Sequence, residues 1–147
     1  MSNIKVEDAK KVQTFDHNRA ENGFLIELYK DKETNNKTEV YLTAALPGAF
    51  KGYHLHRVRG ARYVAIKGKM KITTYEFDGQ VWTPTETILD AEIPTRMYIP
   101  KDVATGLENI GTEEAWLINY PDPAYDPSLK DEQVEYTKEE LESGILK

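Results

Sequence analysis

The stretch Gly52-Tyr53-His54-Leu55-His56 decides how this chain is interpreted. It reads as a β-strand, and residues two apart in a strand point to the same face of the sheet. His54 and His56 therefore present two imidazoles side by side, and imidazole is well suited to proton transfer near neutral pH and to metal ligation. Gly68 follows the next predicted strand and indicates a tight corner. These features predict a β-barrel with a histidine-lined pocket.

Short β-strands separated by glycine and proline turns make up most of the remaining pattern. We predict strands at 24–29, 40–46, 62–67, 69–77, 81–89, 96–99, 103–109 and 114–120. The strand at 69–77 is expected to pair with the one before it across Gly68. Many short strands with almost no helix are typical of a sandwich or a barrel.

Turn and cap residues add three local predictions. Asp78-Gly79 has the composition of a hairpin turn. Pro84 cannot donate to a ladder, so its strand is expected at an edge or at a bulge. Thr137-Lys138-Glu139-Glu140 has the spacing of a capping box, which predicts a short C-terminal helix ended by Gly144.

The composition excludes several classes of protein. The 147 residues fit one domain, with a core at about 24–126, a polar N-terminal arm at 1–22 and a tail at 127–147. The net charge of −6 argues against a general nucleic-acid binder. The absence of cysteine excludes disulfides and thiolate metal sites. No apolar run is long enough to cross a membrane and the first residues lack a signal-peptide core, so we expect a cytoplasmic protein.

Four motifs together resemble a known family. They are Leu46-Pro47-Gly48-Ala49-Phe50-Lys51 leading into the histidine strand, Ile66-Lys67-Gly68-Lys69-Met70-Lys71, Tyr98-Ile99-Pro100-Lys101-Asp102-Val103-Ala104-Thr105-Gly106, and Asn119-Tyr120-Pro121. From about Val40 to Asp126 the chain is similar to the cupin superfamily, and within it to the enzymes related to dTDP-4-dehydrorhamnose 3,5-epimerase. The resemblance implies an all-β double-stranded β-helix (cupin jelly roll), commonly dimeric. It also implies action on nucleotide-linked 4-keto sugars that are made for cell-surface polysaccharides.

Two departures from the wider cupin pattern bear on metal binding. Metal-binding cupins have a glutamate a few residues after His-x-His and a further histidine in the second motif. Those positions fall here at Ala61 or Arg62 and at Thr105. Two imidazoles beside a guanidinium are a poor divalent-cation site. We therefore predict no metal and no cofactor, with a third ligand from another strand left open as an alternative.

The resemblance also implies roles for individual residues. His54 matches the base that removes the proton next to the keto group, with His56 as its partner. Arg62 stands where a lysine is usual and would stabilise the enolate, as a nearby cation does. Lys51 stands where the family has an arginine that could reach the diphosphate, and Arg59 is a second phosphate candidate because a guanidinium binds phosphate oxygens in pairs.

The second proton carrier is less well matched. A 3,5-epimerase uses a tyrosine of the last strand as the acid on the opposite face of the sugar, and that position falls at Ile118. Tyr120, two residues on, is our candidate substitute, and Tyr98 is another. Tyr98 and Thr105 are also candidates for contacting the substrate. A 3,4-ketoisomerase of the same superfamily needs no acid at that position.

The sequence thus predicts a metal-independent epimerase or isomerase acting on a nucleoside-diphosphate-linked 4-keto-6-deoxy sugar. Its partner would be that small-molecule substrate, with no nucleic acid or membrane involved, and a homodimer is expected. Two alternatives stay open: a non-catalytic sugar-binding cupin and a metal-dependent cupin enzyme. His17, in the polar arm, is expected at the surface.

Overall fold

A computed structural model describes residues 11–30, 39–121, 126 and 128–147 of the chain. The described residues form eleven strands and one short helix. These are β1 (Lys11–Phe15), β2 (Glu21–Lys30), β3 (Glu39–Ala45), β4 (Phe50–His56), β5 (Ala61–Lys67), β6 (Lys69–Phe77), β7 (Trp82–Asp90), β8 (Met97–Ile99), β9 (Val103–Asn109), β10 (Ala115–Asn119), β11 (Gln133–Glu135) and α1 (Lys138–Glu142).

The strands form two antiparallel sheets, which confirms the predicted all-β jelly roll. The first sheet has the order β1-β2-β3-β10-β5-β8, and the second has the order β11-β4-β9-β6-β7. Inward-facing apolar residues of both sheets form the main core, which includes Met70, Ile72, Leu89 and Leu117, each at most 1 % exposed. Alternation of inward and outward side chains along each strand is what allows two such sheets to pack face to face.

The predicted pairing of residues 69–77 with the strand before Gly68 is wrong. β5 belongs to the first sheet, whereas β6 belongs to the second and pairs with β7 and β9. Gly68 has a φ of 72°, in the left-handed region that glycine adopts at little cost. It marks the corner at which the chain passes from one sheet to the other, so the corner was predicted correctly and the pairing was not.

The other local predictions are confirmed. Asp78 and Gly79 lie in the turn between β6 and β7, with Asp78 N–H donating to Val81 O at 3.2 Å. β7, which carries Pro84, is the edge strand of its sheet. At α1 the Thr137 hydroxyl accepts from Glu140 N–H and the Glu140 carboxylate accepts from Thr137 N–H, which is a capping box.

Both chain ends contribute more than the predicted arm and tail. β1 and the first residues of β2 come from the stretch predicted as a polar arm, and β11 comes from the predicted tail. Both strands lie beside β4, since β11 pairs with it and Thr14 of β1 accepts a hydrogen bond from Lys51. Residues 1–10 and the connection between β2 and β3, residues 31–38, lie outside the described residues.

The two sheets differ in what covers their outer faces. On the second sheet, Tyr53, Tyr75 and Trp82 pack with Tyr136 and Leu141 of the C-terminal segment in a second buried cluster. Trp82 Nε1–H also donates to Ile145 O at 2.8 Å. Among the described residues, no helix is long and apolar enough to span a membrane.

Candidate active site

A large cavity lies between the two sheets. Its volume is about 1100 Å³, and residues of β1 to β5, β8 to β11 and the connecting segments line it. Five of the predicted site residues lie there. They are Lys51, His54, His56, Arg59 and Thr105.

A β-bulge brings the charged and imidazole groups of β4 to one face. Lys51 pairs with Leu107 of β9, and His54 pairs with Thr105, so three steps along β4 match two along β9. Residues three apart in a regular strand point to opposite faces of the sheet. The extra residue of the bulge changes this, so that Lys51 and His54 point to the same face. Gly52, inside this bulge, has a φ of 125°, and a Cβ there would lie 2.6 Å from Thr105 O. A residue with a side chain would not fit this position without a shift of the backbone.

His56 is held by a buried carboxylate from outside its strand. Its Nδ1 lies 3.2 Å from Oε1 of Glu132, and Arg59 Nε lies 3.0 Å from the same oxygen. Val58 N–H donates to the other carboxylate oxygen at 3.4 Å. The same Nδ1 also lies 3.2 Å from Arg59 Nε, so this ring nitrogen contacts both a carboxylate acceptor and a guanidinium donor.

The electrostatics keep His56 neutral. Burial, followed by the charge of Arg59, lowers the pKa of His56 to about 4, although Glu132 opposes the shift. The carboxylate therefore orients the ring more than it protonates it. At neutral pH this imidazole is a proton acceptor.

His54 is the more accessible of the two imidazoles. Its side chain is 39 % exposed, its Nδ1 lies 3.3 Å from Gln133 Nε2, and Glu135 Oε1 is 3.8 Å away. Burial lowers the pKa of His54 below its usual value, Glu135 raises it, and the charges of His17, Arg59 and Lys51 lower it further. His54 is therefore also predominantly neutral near pH 7.

Lys51 places an ammonium group close to His54. Its Nζ donates to Thr14 Oγ1 of β1 at 2.9 Å. Burial lowers the pKa of Lys51 to about 8, since the low-dielectric surroundings disfavour the charged form. The group is thus still mostly charged at pH 7 but titrates within reach of it.

The structure does not bring Arg62, Tyr98 and Tyr120 to this cavity. Arg62 is exposed on the outward-facing side of β5, and its Cζ lies 5.2 Å from the Tyr98 ring centre and 6.0 Å from that of Tyr120. Tyr98 is 61 % exposed and Tyr120 is 40 % exposed. Along β5 the inward side chains are those of Ala61, Tyr63 and Ala65. Arg62 lies between two of them in the strand, so its side chain points to the outer face. The three residues form a cation–π cluster on the outer surface.

Sequence reasoning missed several groups that do line the cavity. Tyr63 and Asn119 face it from the first sheet, and Gln133 and Glu135 face it from β11. Tyr63 alternates with the small residues Ala61 and Ala65, but this pattern alone does not tell which face of β5 is inward. β11 spans three residues, too few for a periodic pattern to be read. His17 is exposed as expected, but it also lies at the cavity rim, where its Nε2 is 3.2 Å from Gly52 O.

No group of three or more histidine, aspartate or glutamate side chains within the described part of the chain is arranged to hold a metal ion. Thr105, at the position of the second-motif histidine, is buried and pairs with His54.

Comparison with known proteins places this fold and cavity in a family. Residues 18–133 match the family model described as polysaccharide biosynthesis C-terminal domain. The chain belongs to this family. The matched range contains β2 to β10, both site histidines and Glu132, so membership covers the cavity itself.

Two curated relatives of this polysaccharide biosynthesis family align along most of their length. The spore coat polysaccharide biosynthesis protein SpsL of Bacillus subtilis is 24 % identical over 131 residues, which cover 86 % of this chain and 87 % of that protein. The probable low-salt glycan biosynthesis epimerase Agl13 of Haloferax volcanii is 28 % identical over 143 residues, covering 90 % of this chain and 88 % of that protein. These similarities confirm the predicted cupin-type sugar epimerase group.

Solved structures confirm the fold. The capsular polysaccharide assembling protein CapF of Staphylococcus aureus superposes with a TM-score of 0.69 at 19 % identity, over 85 % of this chain. The chain spans 34 % of the length of that protein. A mutant of the oxalate decarboxylase OxdC of Bacillus subtilis superposes with a TM-score of 0.62 at 21 % identity, over 79 % of this chain. The chain thus has a cupin-type fold.

Proposed function

We propose that this protein is a metal-independent epimerase or isomerase of a nucleoside-diphosphate-linked 4-keto-6-deoxy sugar. The observation that carries the proposal is the placement of His54 and His56 on one wall of a cavity beside two cations, Lys51 and Arg59. The epimerase name of one relative supports the reaction class. A cavity of this size is at the upper end of those that hold small ligands, so a nucleotide sugar fits in volume.

His54 is the proposed general base. A C–H bond next to a keto group is acidic because the resulting carbanion delocalises onto the keto oxygen as an enolate. A neutral imidazole accepts this proton. His54 is chosen over His56 because it is the more exposed ring, whereas His56 is held between Glu132 and Arg59. His56 serves as its oriented partner.

Lys51 is the proposed cation at the enolate oxygen, in place of Arg62. It shares the face and the electrostatic surroundings of His54, and its charge influences the pKa of that ring. A cation aimed at the oxygen where charge develops lowers the barrier to proton removal. Arg59 remains the candidate for the diphosphate, because it lines the cavity and a guanidinium binds phosphate oxygens in pairs.

Proton exchange in heavy water tests the proposal. The protein is incubated with a 4-keto-6-deoxy sugar linked to dTDP, GDP or UDP, and C3 and C5 are followed by NMR. Deuterium at C3, or at C3 and C5, with inversion supports epimerisation, and a keto group moved to C3 supports ketoisomerisation. Binding without exchange would select the non-catalytic sugar-binding alternative. His54→Asn should abolish exchange, whereas Tyr120→Phe should not.

We also propose a homodimer formed through the outer face of the first sheet. Ile26, Leu42, Ile118 and Val64 lie in register across four adjacent strands of that face. Ile66, at 48 % exposure, extends the apolar surface. The C-terminal segment covers the corresponding face of the second sheet. Leu42 is already buried within the chain, and a second copy would cover the partly exposed remainder of this apolar surface. Cytoplasmic location stays a prediction.

A further inference from the structure

Inversion at a carbon needs two proton carriers. A base removes the proton from one face of the enolisable carbon, and a different group must return a proton to the other face. His54 and His56 approach the cavity from the second sheet. A donor that completes the inversion should therefore stand on the first sheet, across the cavity.

A polar row crosses the inner face of the first sheet. Asn119 of β10 pairs with Tyr41 of β3 on one side and with Tyr63 of β5 on the other, and all three line the cavity. Asn119 Oδ1 is buried and has no hydrogen-bond partner among the described residues. A ligand hydroxyl in the cavity would satisfy this acceptor, which marks the row as a ligand-facing surface.

Tyr63 is the member of this row that shares its surroundings with the imidazoles. The Arg59 guanidinium interacts electrostatically with the Tyr63 hydroxyl and with both histidines. The ring of Tyr63 packs against the main core, between the inward-facing Ala61 and Ala65, which holds its direction. Tyr63 and the two imidazoles therefore line one cavity from two different sheets, and Arg59 lines it as well.

The protonation state of Tyr63 suits a donor. Burial raises the pKa of Tyr63 to about 12, and Arg59 opposes this shift. The hydroxyl is protonated at working pH, and the guanidinium stabilises the phenolate that forms when the proton leaves.

We propose that Tyr63 is the acid that returns a proton to the sugar carbon on the face opposite the imidazoles. This assignment rests on the proposed function, and it replaces Tyr120 and Tyr98. The balance is simple. His54 takes the proton as the C–H bond breaks and the enolate forms. The Tyr63 O–H proton forms the new C–H bond as the keto group is restored. The phenolate regains a proton from water, and His54 releases one to water.

The variant Tyr63→Phe should lose inversion of the sugar carbon while it keeps proton exchange. In heavy water, the variant should still exchange the proton on the histidine face, because the base is intact. Inversion should fall on the order of 100-fold, within the usual contribution of a positioned acid. Tyr98→Phe and Tyr120→Phe remove the same hydroxyl from the outer surface and should invert at the wild-type rate. Inversion by Tyr63→Phe at the wild-type rate, or its loss in Tyr120→Phe, would overturn the assignment.

Two further measurements keep the test decisive. Wild-type protein that exchanges no proton would contradict the proposed function itself, whereas normal inversion by Tyr63→Phe contradicts only the role of Tyr63. If Tyr63→Phe does not fold, 3,5-difluorotyrosine at position 63 keeps the ring and the hydroxyl but makes the hydroxyl more acidic. A changed ratio of inversion to exchange supports the role of Tyr63, and an unchanged ratio overturns it.

Discussion

The proposed roles of His54 and Lys51 predict the acid and alkaline limits of activity. The pKa of His54 is lowered from its usual 6.5, mainly by burial, so the base is neutral above that pH and is lost somewhere below it. The pKa of Lys51 is lowered to about 8, so the enolate-stabilising charge is lost as the pH rises through that value. We expect kcat/KM to be bell-shaped, with its acid limb below pH 6.5 and its alkaline limb centred near pH 8.

The conservative variant Lys51→Arg tests whether Lys51 sets the alkaline limit of kcat/KM. Lys51→Arg keeps a cation that does not titrate below pH 12, so the alkaline limb should move upwards while the acid limb stays in place. The measurement is the pH dependence of kcat/KM for both proteins. An alkaline limb unmoved by this change would contradict the role of Lys51.

Glu132 connects stability to the site. It is 7 % exposed and compensates Arg59, whose side chain is 11 % exposed. In Glu132→Gln the guanidinium loses its buried counter-charge, which should lower the free energy of unfolding by about 3 kcal/mol. We also expect kcat to fall on the order of 10-fold with KM little changed, because the Glu132 charge no longer orients His56.

Glu135→Gln is the matched control for the stability measurement. Glu135 is also next to a site histidine, but its side chain is 61 % exposed and 3.8 Å from His54. Its removal should cost at most about 1 kcal/mol in urea unfolding. Equal losses in the two variants would show that the burial of Glu132 is not what matters.

The direction of a side chain was the least predictable property at this scale. β5 carries small or aromatic residues at Ala61, Tyr63 and Ala65, and aliphatic ones at Val64 and Ile66. Neither of these two alternating sets of side chains is clearly polar, so the alternation does not tell which face of the strand is inside. Arg62 was expected at the cavity from its position in the family pattern, and the alternation along β5 did not correct this, whereas Tyr63 is there. β4, with two histidines on one face, had no such ambiguity.

At the scale of the strand, the bulge in β4 depends on Gly52. A Cβ at this position would approach two backbone groups of β9, and its φ of 125° strains any side-chain residue. Gly52→Ala should lower the free energy of unfolding by several kcal/mol and reduce kcat/KM, because relief of the clash moves Lys51 relative to His54.

The variant Gly79→Ala tests the effect of backbone strain in the absence of a steric clash. Gly79 has a φ of 102°, but a Cβ there would have no atom within 4 Å. We expect a loss of about 1 kcal/mol and unchanged activity. A similar loss of stability and activity in both variants would show that contact with β9 plays no part.

Elements with a strong local signal were predicted, and those that depend on a partner strand were not. The histidine strand, the turn at Asp78-Gly79 and the capping box at Thr137 carry their own residue signatures. β1 and β11 are short edge strands in polar surroundings. They are strands because they pair with β2 and β4. This pairing cannot be recognised from the few residues around each strand in the sequence.

At the scale of the whole molecule, the proposed dimer predicts a difference between two equally exposed isoleucines. Ile66 is 48 % exposed on the outer face of the first sheet, and Ile88 is 50 % exposed on β7 of the second. Ile66→Glu places a charge in the proposed interface and should give a monomer in light scattering after gel filtration, whereas Ile88→Glu should leave the mass unchanged. A wild-type monomer, or a dimer that survives Ile66→Glu, would contradict this interface.

The overall architecture was the best-predicted feature, since strand spacing and turn residues predict a sandwich or a barrel, and the resemblance carried by the four motifs implies the jelly roll. The composition of the site was predicted in part. Lys51, His54, His56, Arg59 and Thr105 lie together at the cavity, but the carboxylate at Glu132 comes from a segment with no recognisable motif.

The groups around β4 come from both directions along the chain. Thr14 reaches Lys51 from 37 residues upstream, and Glu132 reaches His56 from 76 residues downstream. During synthesis, the two histidines therefore emerge long before the carboxylate that orients one of them. A nascent chain that stops short of Glu132 would carry the imidazoles but not the oriented pair, so full catalytic competence would arise late in translation.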